Sequence, residues 1–438
     1  NESSTIQSNN TVTLYDNTPP TMTAVNIVSN NSNYTNLATV GDNVTVTFTS
    51  SETITTPSVL IGGQSATVSG SGTSWSAVKA MASGDTEGII SIAIDAIDLS
   101  DNIGTTATAT TDNSQVTLDR TAPTLAINIA SDNSTTTLAK PGDDVTLTVT
   151  SSENLYQAPT ATIDGNAASV SPSTQTTSYT ATRTMASGDT DGAVAFVLSG
   201  VTDLAGNTVS NITATTDASS VRFDSVAPTV DAITIASNNN YDNDNTTSLA
   251  KSGDSVTVSF TTSENIQAPT VTIAQGTATV SGSDAVWSAT IAMTDSDPDG
   301  AVAFTVDYLD LAGNAGTQVT SVTSGGNVTF DNTAPTISSA TIASNNAVNT
   351  LAKVGDVVTV TITSAEDLYS LASLTINSQS VDVAQVTKTS ATEWSFTYTM
   401  TSSDTEGDLD FGFTANDLTL DCAQSNPALT YRENGIFS

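Results

Sequence analysis

The chain repeats itself four times, and no other feature limits its fold as strongly. Four stretches open alike: Asn17-Thr-Pro-Pro-Thr21, Arg120-Thr-Ala-Pro-Thr124, Ser225-Val-Ala-Pro-Thr229 and Asn332-Thr-Ala-Pro-Thr336. Their prolines, Pro20, Pro123, Pro228 and Pro335, are spaced by 103, 105 and 107 residues. Other landmarks keep phase. A Gly-Asp pair recurs at Asp42, Asp143, Asp254 and Asp356, and a glutamate at Glu52, Glu153, Glu264 and Glu366. An aromatic position reads Trp75, Tyr179, Trp287 and Trp394, and a methionine follows at Met81, Met185, Met293 and Met400. Self-similarity at one period means tandem copies of a single structural unit. The units span 17–119, 120–224, 225–331 and 332–438, with residues 1–16 ahead of them.

Within each unit the chemistry is that of strands. Val44-Thr-Val-Thr-Phe48 and Val256-Thr-Val-Ser-Phe260 alternate apolar and polar residues. Such alternation fits antiparallel strands with one face buried. Gly, Asn, Asp and Ser separate the runs, and no segment keeps helical spacing. About seven short strands in roughly 105 residues predict an Ig-like β-sandwich. The expectation is an all-β chain of four tandem Ig-like antiparallel sandwiches forming an elongated rod. The Trp/Tyr position and its methionine are read as core, in preference to a carbohydrate-stacking platform.

Composition removes whole classes of function. The chain has 45 Asp and Glu, 9 Lys and Arg, no His and one Cys, for a net charge of −36. Without His there is no Ser-His-Asp triad, no Cys-His dyad and no His-bound zinc. Nine scattered cations make no basic stripe, so nucleic acid and anionic membrane are not expected partners. No run of about 18 apolar residues occurs, so no membrane insertion is expected. Cys422 cannot close an internal disulfide and is read as a buried thiol, with a bond between two chains as the alternative. The sequence begins at Asn1 without Met, consistent with a processed product or an excerpt of a longer chain. Carboxylates are the abundant ionisable chemistry. Their fourfold repetition argues against a catalytic pair, and no enzyme is expected.

The Ala-Pro-Thr openers, together with Asp203-Leu-Ala-Gly-Asn207 and Asp310-Leu-Ala-Gly-Asn314, resemble the Ig-like repeats of large secreted prokaryotic surface proteins, among them bacterial adhesins and archaeal surface-layer proteins. The resemblance spans the chain. It implies an extracellular, cell-surface location and leaves function open, since such domains serve as spacers, adhesins, lattice units and enzyme appendages. Unit 1 departs from the pattern with Asp98-Leu-Ser-Asp-Asn102, and unit 4 more strongly.

In a seven-stranded sandwich alternate loops share a pole. For unit 2, with strands near 124–130, 144–150, 158–163, 166–170, 177–185 and 192–200 and a last segment ending near 223, Glu153, Asp203 and Asn207 face the N-terminal pole, where the linker residue Asp119 enters. The same logic groups Asp16, Glu52, Asp98 and Asn102; Asp224, Glu264, Asp310 and Asn314; and Asp331, Glu366 and Asp417. Asp42, Asp85 and Glu87 are expected to approach the junction of units 1 and 2 from the other side. Crowded carboxylates repel unless a cation or water neutralises them. Calcium takes 6–8 oxygen ligands in flexible geometry, and Ca2+ at each junction is similar in logic to cadherin-type rods. The alternative is turn chemistry plus solvation, because Asx side chains cap nearby N–H groups and Gly takes positive φ.

The two ends carry the remaining clue. Val116-Thr-Leu118, Val221-Arg-Phe223 and Val328-Thr-Phe330 precede the linkers. Thr11-Val12-Thr13-Leu14-Tyr15 carries the same pattern ahead of unit 1, whereas unit 4 shows no such segment at the matching distance. This predicts donor-strand complementation, with residues 11–15 of one subunit completing unit 4 of the next, Val12 and Leu14 filling pockets. Such head-to-tail contacts build a homopolymeric filament. An excerpt of a longer array and an atypical terminal cap are the other readings of the ends. A surface-layer lattice and an adhesin stalk are the other readings of the whole. Asn-x-Ser/Thr triplets at Asn9, Asn30, Asn33, Asn43, Asn133, Asn211, Asn245 and Asn327 mark candidate glycan acceptors.

Overall fold

In the computed structural model, residues 16–239 and 248–417 are described. They divide into two compact units, Asn1–Ser225 and Val226–Ser438, and each contains two sandwiches. In sandwich 1 the strands are β1 (Met22–Ser29), β2 (Leu37–Ala38), β3 (Asn43–Ser50), β4 (Ser58–Ile61), β5 (Gln64–Ser65), β6 (Thr67–Ser71), β7 (Ser74–Ala80), β8 (Gly88–Ile89), β9 (Ile92–Asp95) and β10 (Thr117–Leu118). One sheet has the order β1-β3-β7-β6 and the facing sheet β5-β4-β9. Ala107 bridges Ile94 on the open side of β9. This is the four-over-three arrangement of an Ig-like sandwich. Among the described residues a single 3-10 turn, Val383–Gln385, is the only helix.

The predicted alternation is what closes the core. Along β3 the side chains of Val44, Val46 and Phe48 are buried while Thr45 and Thr47 face outward or lie half-buried. Trp75 from β7 and Met81 complete the same cluster. Equivalent clusters form around Tyr179 and Met185, Trp287 and Met293, and Trp394 and Met400. The aromatic position is therefore core. The indole N–H of Trp75 donates to the Gly72 carbonyl at 3.2 Å. Gly70, at φ +133°, lets β6 approach it: a Cβ there would lie 2.4 Å from the Ser74 carbonyl, so only glycine fits.

The pairing of the final strand went unread in the sequence. The final strand β10 joins neither main sheet. It runs parallel to β2 and antiparallel to β8 in a small third sheet, and it plugs Val116 and Leu118 into the core. Sandwiches 2 and 3 repeat this with Arg222–Phe223 between Leu138–Ala139 and Gly192–Ala193, and Thr329–Phe330 between Leu249–Ala250 and Gly300–Ala301. Two-residue strands carry no periodicity, which is why β2 left no signal.

Sandwich 4 keeps the main sheets but fuses what the others break. Leu368–Ile376 pairs with Phe411–Asp417 over its length, with two bulges. In sandwich 1 the same path is β4 with β9 and a separate Ile54–Asp98 bridge. Among its described residues no third sheet forms.

Candidate metal centre

Sandwich 2 shows how the acidic pole is built. Asp203 follows the strand Phe196–Ser199 and is fully buried. Its Oδ1 accepts the N–H groups of Gly206 at 2.7 Å and Asn207 at 2.8 Å, and its Oδ2 accepts the Asn207 side-chain amide at 2.7 Å. Gly206 sits at φ +101°, which the tight loop requires and glycine supplies without strain. Glu153 lies just past the strand Asp144–Ser151. Asp119 arrives from the linker directly after β10. Its N–H donates to the Ala38 carbonyl of sandwich 1 at 2.9 Å, and its own carbonyl accepts Asn207 Nδ2 of sandwich 2 at 3.2 Å. Carboxylate oxygens of Asp119, Glu153 and Asp203 all fall within 4.8 Å of one another.

The pole of sandwich 1 repeats the arrangement with Asp16, Glu52 and Asp98. Asn102 again donates to its aspartate, at 2.7 Å, and to the linker carbonyl of Asp16, at 3.1 Å. Burial pushes the Glu52 carboxyl up, and repulsion from Asp16 and Asp98 adds to it. In sandwich 2 burial raises Glu153, helped by Asp119 and Asp203. Burial likewise raises Asp119, reinforced by Asp203 and Glu87. Burial also opposes ionisation of Asp98, but hydrogen bonds from Asn102 and Ser100 outweigh it and hold that carboxyl low. Each of these two clusters thus sets a buried, hydrogen-bonded aspartate beside a glutamate that burial and its acidic neighbours push up.

The donor set suits a hard divalent cation. Oxygens 2.3–2.6 Å from one ion lie within about 5 Å of each other, and the three carboxylates meet that condition. Asn102 and Asn207 do not join as ligands in this arrangement. Their amide nitrogens face the cluster, and the side-chain oxygen of Asn207 accepts the Thr39 hydroxyl at 2.5 Å. They brace the aspartate and the linker instead.

In the second unit Asp310 is buried and accepts Gly313 and Asn314 N–H groups at 2.6 and 2.8 Å, with the Asn314 amide at 2.7 Å. Glu264 follows Thr262, whose hydroxyl donates to the Glu264 carbonyl at 2.7 Å. Asp224, in the first unit, donates its N–H to Ala139 at 2.9 Å, as Asp119 does to Ala38. Asp331 is raised by burial and further by Asp417 and Asp299. Glu366 is diverted. In sandwiches 1 to 3 the opener threonine N–H is capped by Ser51, Ser152 or Ser263 at 3.0 Å. Sandwich 4 has Ala365 there, and the Glu366 carboxylate caps Thr336 instead, at 3.1 Å.

The acids expected from the far side of the first junction are spent locally. Asp42 accepts the Asn31 amide at 2.6 Å and the Thr39 N–H at 2.8 Å. Asp85 pairs with Lys79. Glu87 accepts the Arg120 N–H and the Thr121 hydroxyl, each at 2.8 Å. Among the candidate glycan acceptors, Asn30, Asn43, Asn211 and Asn327 are exposed. Asn33 and Asn133 are half-buried, and the amide nitrogen that would carry a glycan donates to Leu204 at 3.4 Å and Asp143 at 2.7 Å. Thr11, Val12, Thr13, Leu14, Tyr15, Asn9, Asn245 and Cys422 lie outside the described residues.

Sequence reasoning missed a clasp between sandwiches 1 and 2. The Asn31 amide donates to the Ala205 carbonyl at 2.7 Å. Tyr34 meets Tyr156 edge-on with ring centres 6.1 Å apart, and its hydroxyl accepts Gln175 at 2.8 Å. Asn31 recurs in every repeat bound to the Gly-Asp aspartate, but Tyr34 does not recur, so the period gave no hint of the ring contact.

No protein-family model matches the chain, and no curated protein matches it. Solved structures similar to it include the Bacteroides ovatus mixed-linkage glucan utilization locus SGBP-B in complex with a mixed-linkage heptasaccharide, at 15% identity over 88% of this chain and 93% of that one, TM-score 0.15. Others are the fibronectin(III)-like modules of Clostridium thermocellum CbhA, at 15% identity over 47% and 93%, TM-score 0.25, and the mouse nectin-like molecule 4 ectodomain, at 12% over 64% and 91%, TM-score 0.23. No functional likeness follows from scores at this level.

Proposed function

We propose that this domain-repeat protein is an extracellular structural subunit that assembles head to tail on the cell surface, residues 11–15 of one copy completing sandwich 4 of the next. One observation carries the reading. In sandwiches 1 to 3 a final strand fills the slot between the counterparts of β2 and β8, and Ala38, Ala139 and Ala250 beneath it are fully buried. In sandwich 4, among the described residues, no strand lies there, and the corresponding residues line a groove of about 510 Å³, bordered by Leu351–Ala352 and by Gly407–Asp408, with Ile342, Val358 and Met400 also lining it. Leu351 is 62% exposed. A groove with apolar side chains in its lining, at the place where the other sandwiches seat a strand, is a template for an added strand.

The position of Asp16 sharpens the register. Asp16 occupies the place of Asp119 in its cluster. Counting back from it sets Tyr15 where Leu118, Phe223 and Phe330 stand and Thr13 where Val116, Val221 and Val328 stand. The Val12–Leu14 pattern is offset from that by one residue, so the ring of Tyr15, rather than Leu14, is the anchor in the register that keeps Asp16 in its cluster. The acidic poles serve the same purpose in this reading. A calcium ion held by Asp119, Glu153 and Asp203, or by Asp16, Glu52 and Asp98, would cancel repulsion where sandwiches join.

Deleting residues 1–15 tests the assembly. Loss of polymer by light scattering and negative-stain microscopy is expected. Unchanged assembly would refute strand exchange. Two-dimensional lateral order would favour a lattice, and an invariant monomer a stalk.

A further inference from the structure

The clasp between sandwiches 1 and 2 has two separable halves. The presenting half is the loop after β1, with Asn31, Asn33 and Thr39. The receiving half is the loop 202–208, whose Leu204 and Ala205 carbonyls and Asn207 side chain accept from it. Sandwich 1 has a receiving loop of its own, 97–103, and sandwich 4 a presenting loop of its own, 345–353.

Both are more apolar than the matched pair. Thr202 and Thr208 form a bridge across the receiving loop of sandwich 2, and Ile97 and Ile103 form the same bridge in sandwich 1. Ile103 is 72% exposed and Leu99, the counterpart of half-buried Leu204, is 71% exposed. In the presenting loop of sandwich 4, Val348 replaces Asn33 and is 53% exposed. The hydrogen-bonding frame is nonetheless kept: the Asn346 amide donates to Asp356 at 2.8 Å, as Asn31 does to Asp42. Lys353 stands where Thr39 reaches toward Asn207, which puts a cation opposite the Asp98–Asn102 loop in a like arrangement. Three neighbouring large side chains left in water forfeit roughly 25 cal/mol for each Å² that burial would remove, and sandwich 4 carries an apolar residue, Val348, at the position from which Asn33 reaches the Leu204 carbonyl in the matched pair.

We propose that the Ile97–Leu99–Ile103 face of sandwich 1 docks on the Asn346–Val348–Lys353 loop of sandwich 4 of a second copy, in the geometry that sandwich 2 offers sandwich 1. This rests on the strand-exchange reading, because that exchange is what brings the two loops together. The strand supplies the tether and the loops fix the angle between copies.

The test uses the full chain with Cys422→Ser. Leu99→Cys and Val348→Cys are made separately, mixed, and treated with a short bis-maleimide. Both sites are exposed, so neither change disturbs a core. A cross-linked heterodimer is expected from the mixture and not from either variant alone. In parallel, Ile97→Thr with Ile103→Thr, which installs the residues of sandwich 2, is expected to raise the concentration needed for assembly about tenfold. Polymer that forms normally without the cross-link, or unaffected by the double threonine change, overturns the docking while leaving strand exchange in place. Assembly that survives deletion of residues 1–15 overturns strand exchange, and the cross-link then judges the docking alone.

Discussion

Sandwiches 2 and 4 follow one plan and differ at both poles. In sandwich 2 the slot between the counterparts of β2 and β8 holds Phe223, and the acidic pole holds Glu153 beside Asp119 and Asp203. In sandwich 4 no strand among the described residues occupies the slot, and Glu366 turns away to cap Thr336. A single methyl in place of a hydroxyl, Ala365 for the serine of the other repeats, removes the cap that would free the glutamate. The difference teaches that the acidic pole is an assembled feature. It depends on neighbouring serines that satisfy the backbone first, and a repeat keeps its carboxylates while losing their convergence.

The largest expected effect lies in the slot. Phe223→Ala removes a fully buried ring and should destabilise sandwich 2 by about 3–5 kcal/mol, seen as an early calorimetric transition. Leu351→Ala should leave the unassembled chain within about 0.5 kcal/mol. Equal losses would mean that the groove of sandwich 4 is filled in solution. Next comes the buried aspartate: Asp203→Ala strands two backbone N–H groups and the Asn207 amide, at about 1–3 kcal/mol, whereas Glu366→Gln should barely register.

The pH response is a third contrast. Asp119, Glu153 and Glu52 have raised folded pKa values, so at neutral pH their ionisation penalises the folded state. As pH falls through the raised values the native protein takes up protons first, and the penalty fades until the unfolded values near 3.9 and 4.3 are reached. In chelator the melting temperature of the first unit should therefore rise on going from pH 7 to about 5. Asp85 and Asp189, lowered chiefly by the Ala82 N–H and by Arg183 respectively, act oppositely, and their support is lost only below about pH 4. With calcium the rise should vanish and the starting temperature should be higher; a melting profile blind to both EGTA and calcium would remove the cation. The smallest effect is the sharpest: Ala365→Ser should release Glu366 with a change under about 1 kcal/mol, read as a new pH dependence in sandwich 4.

The repeat landmarks made the fold legible because strand alternation and turn residues recur in phase, and loop alternation alone brought Glu153, Asp203 and Asp119 to one pole. What stayed hidden depended on atoms rather than patterns. The orientation of Asn207 follows from the Asp203 carboxylate and the Asp119 carbonyl that its amide nitrogen bonds. The diversion of Glu366 follows from an alanine that looks unremarkable beside it. The β2–β10 pairing is two residues long and parallel, below what periodicity can register.

The placement of β10 has a mechanical consequence. Tension along the backbone leaves sandwich 1 through Leu118 and Asp119, so the load falls on the bonds from Thr117 to Asn36, from Asp119 to Ala38 and from Ile90 to Val116. Inside one chain, a yielding exit strand pulls Val116 and Leu118 from the core yet leaves the polypeptide continuous, and the strand can reseat when the pull relaxes. At a joint made by an exchanged strand, as proposed above, no covalent link would stand behind those few bonds. Such an array would stretch reversibly within subunits and part between them, with the breaking force set chiefly by how firmly one short strand is gripped.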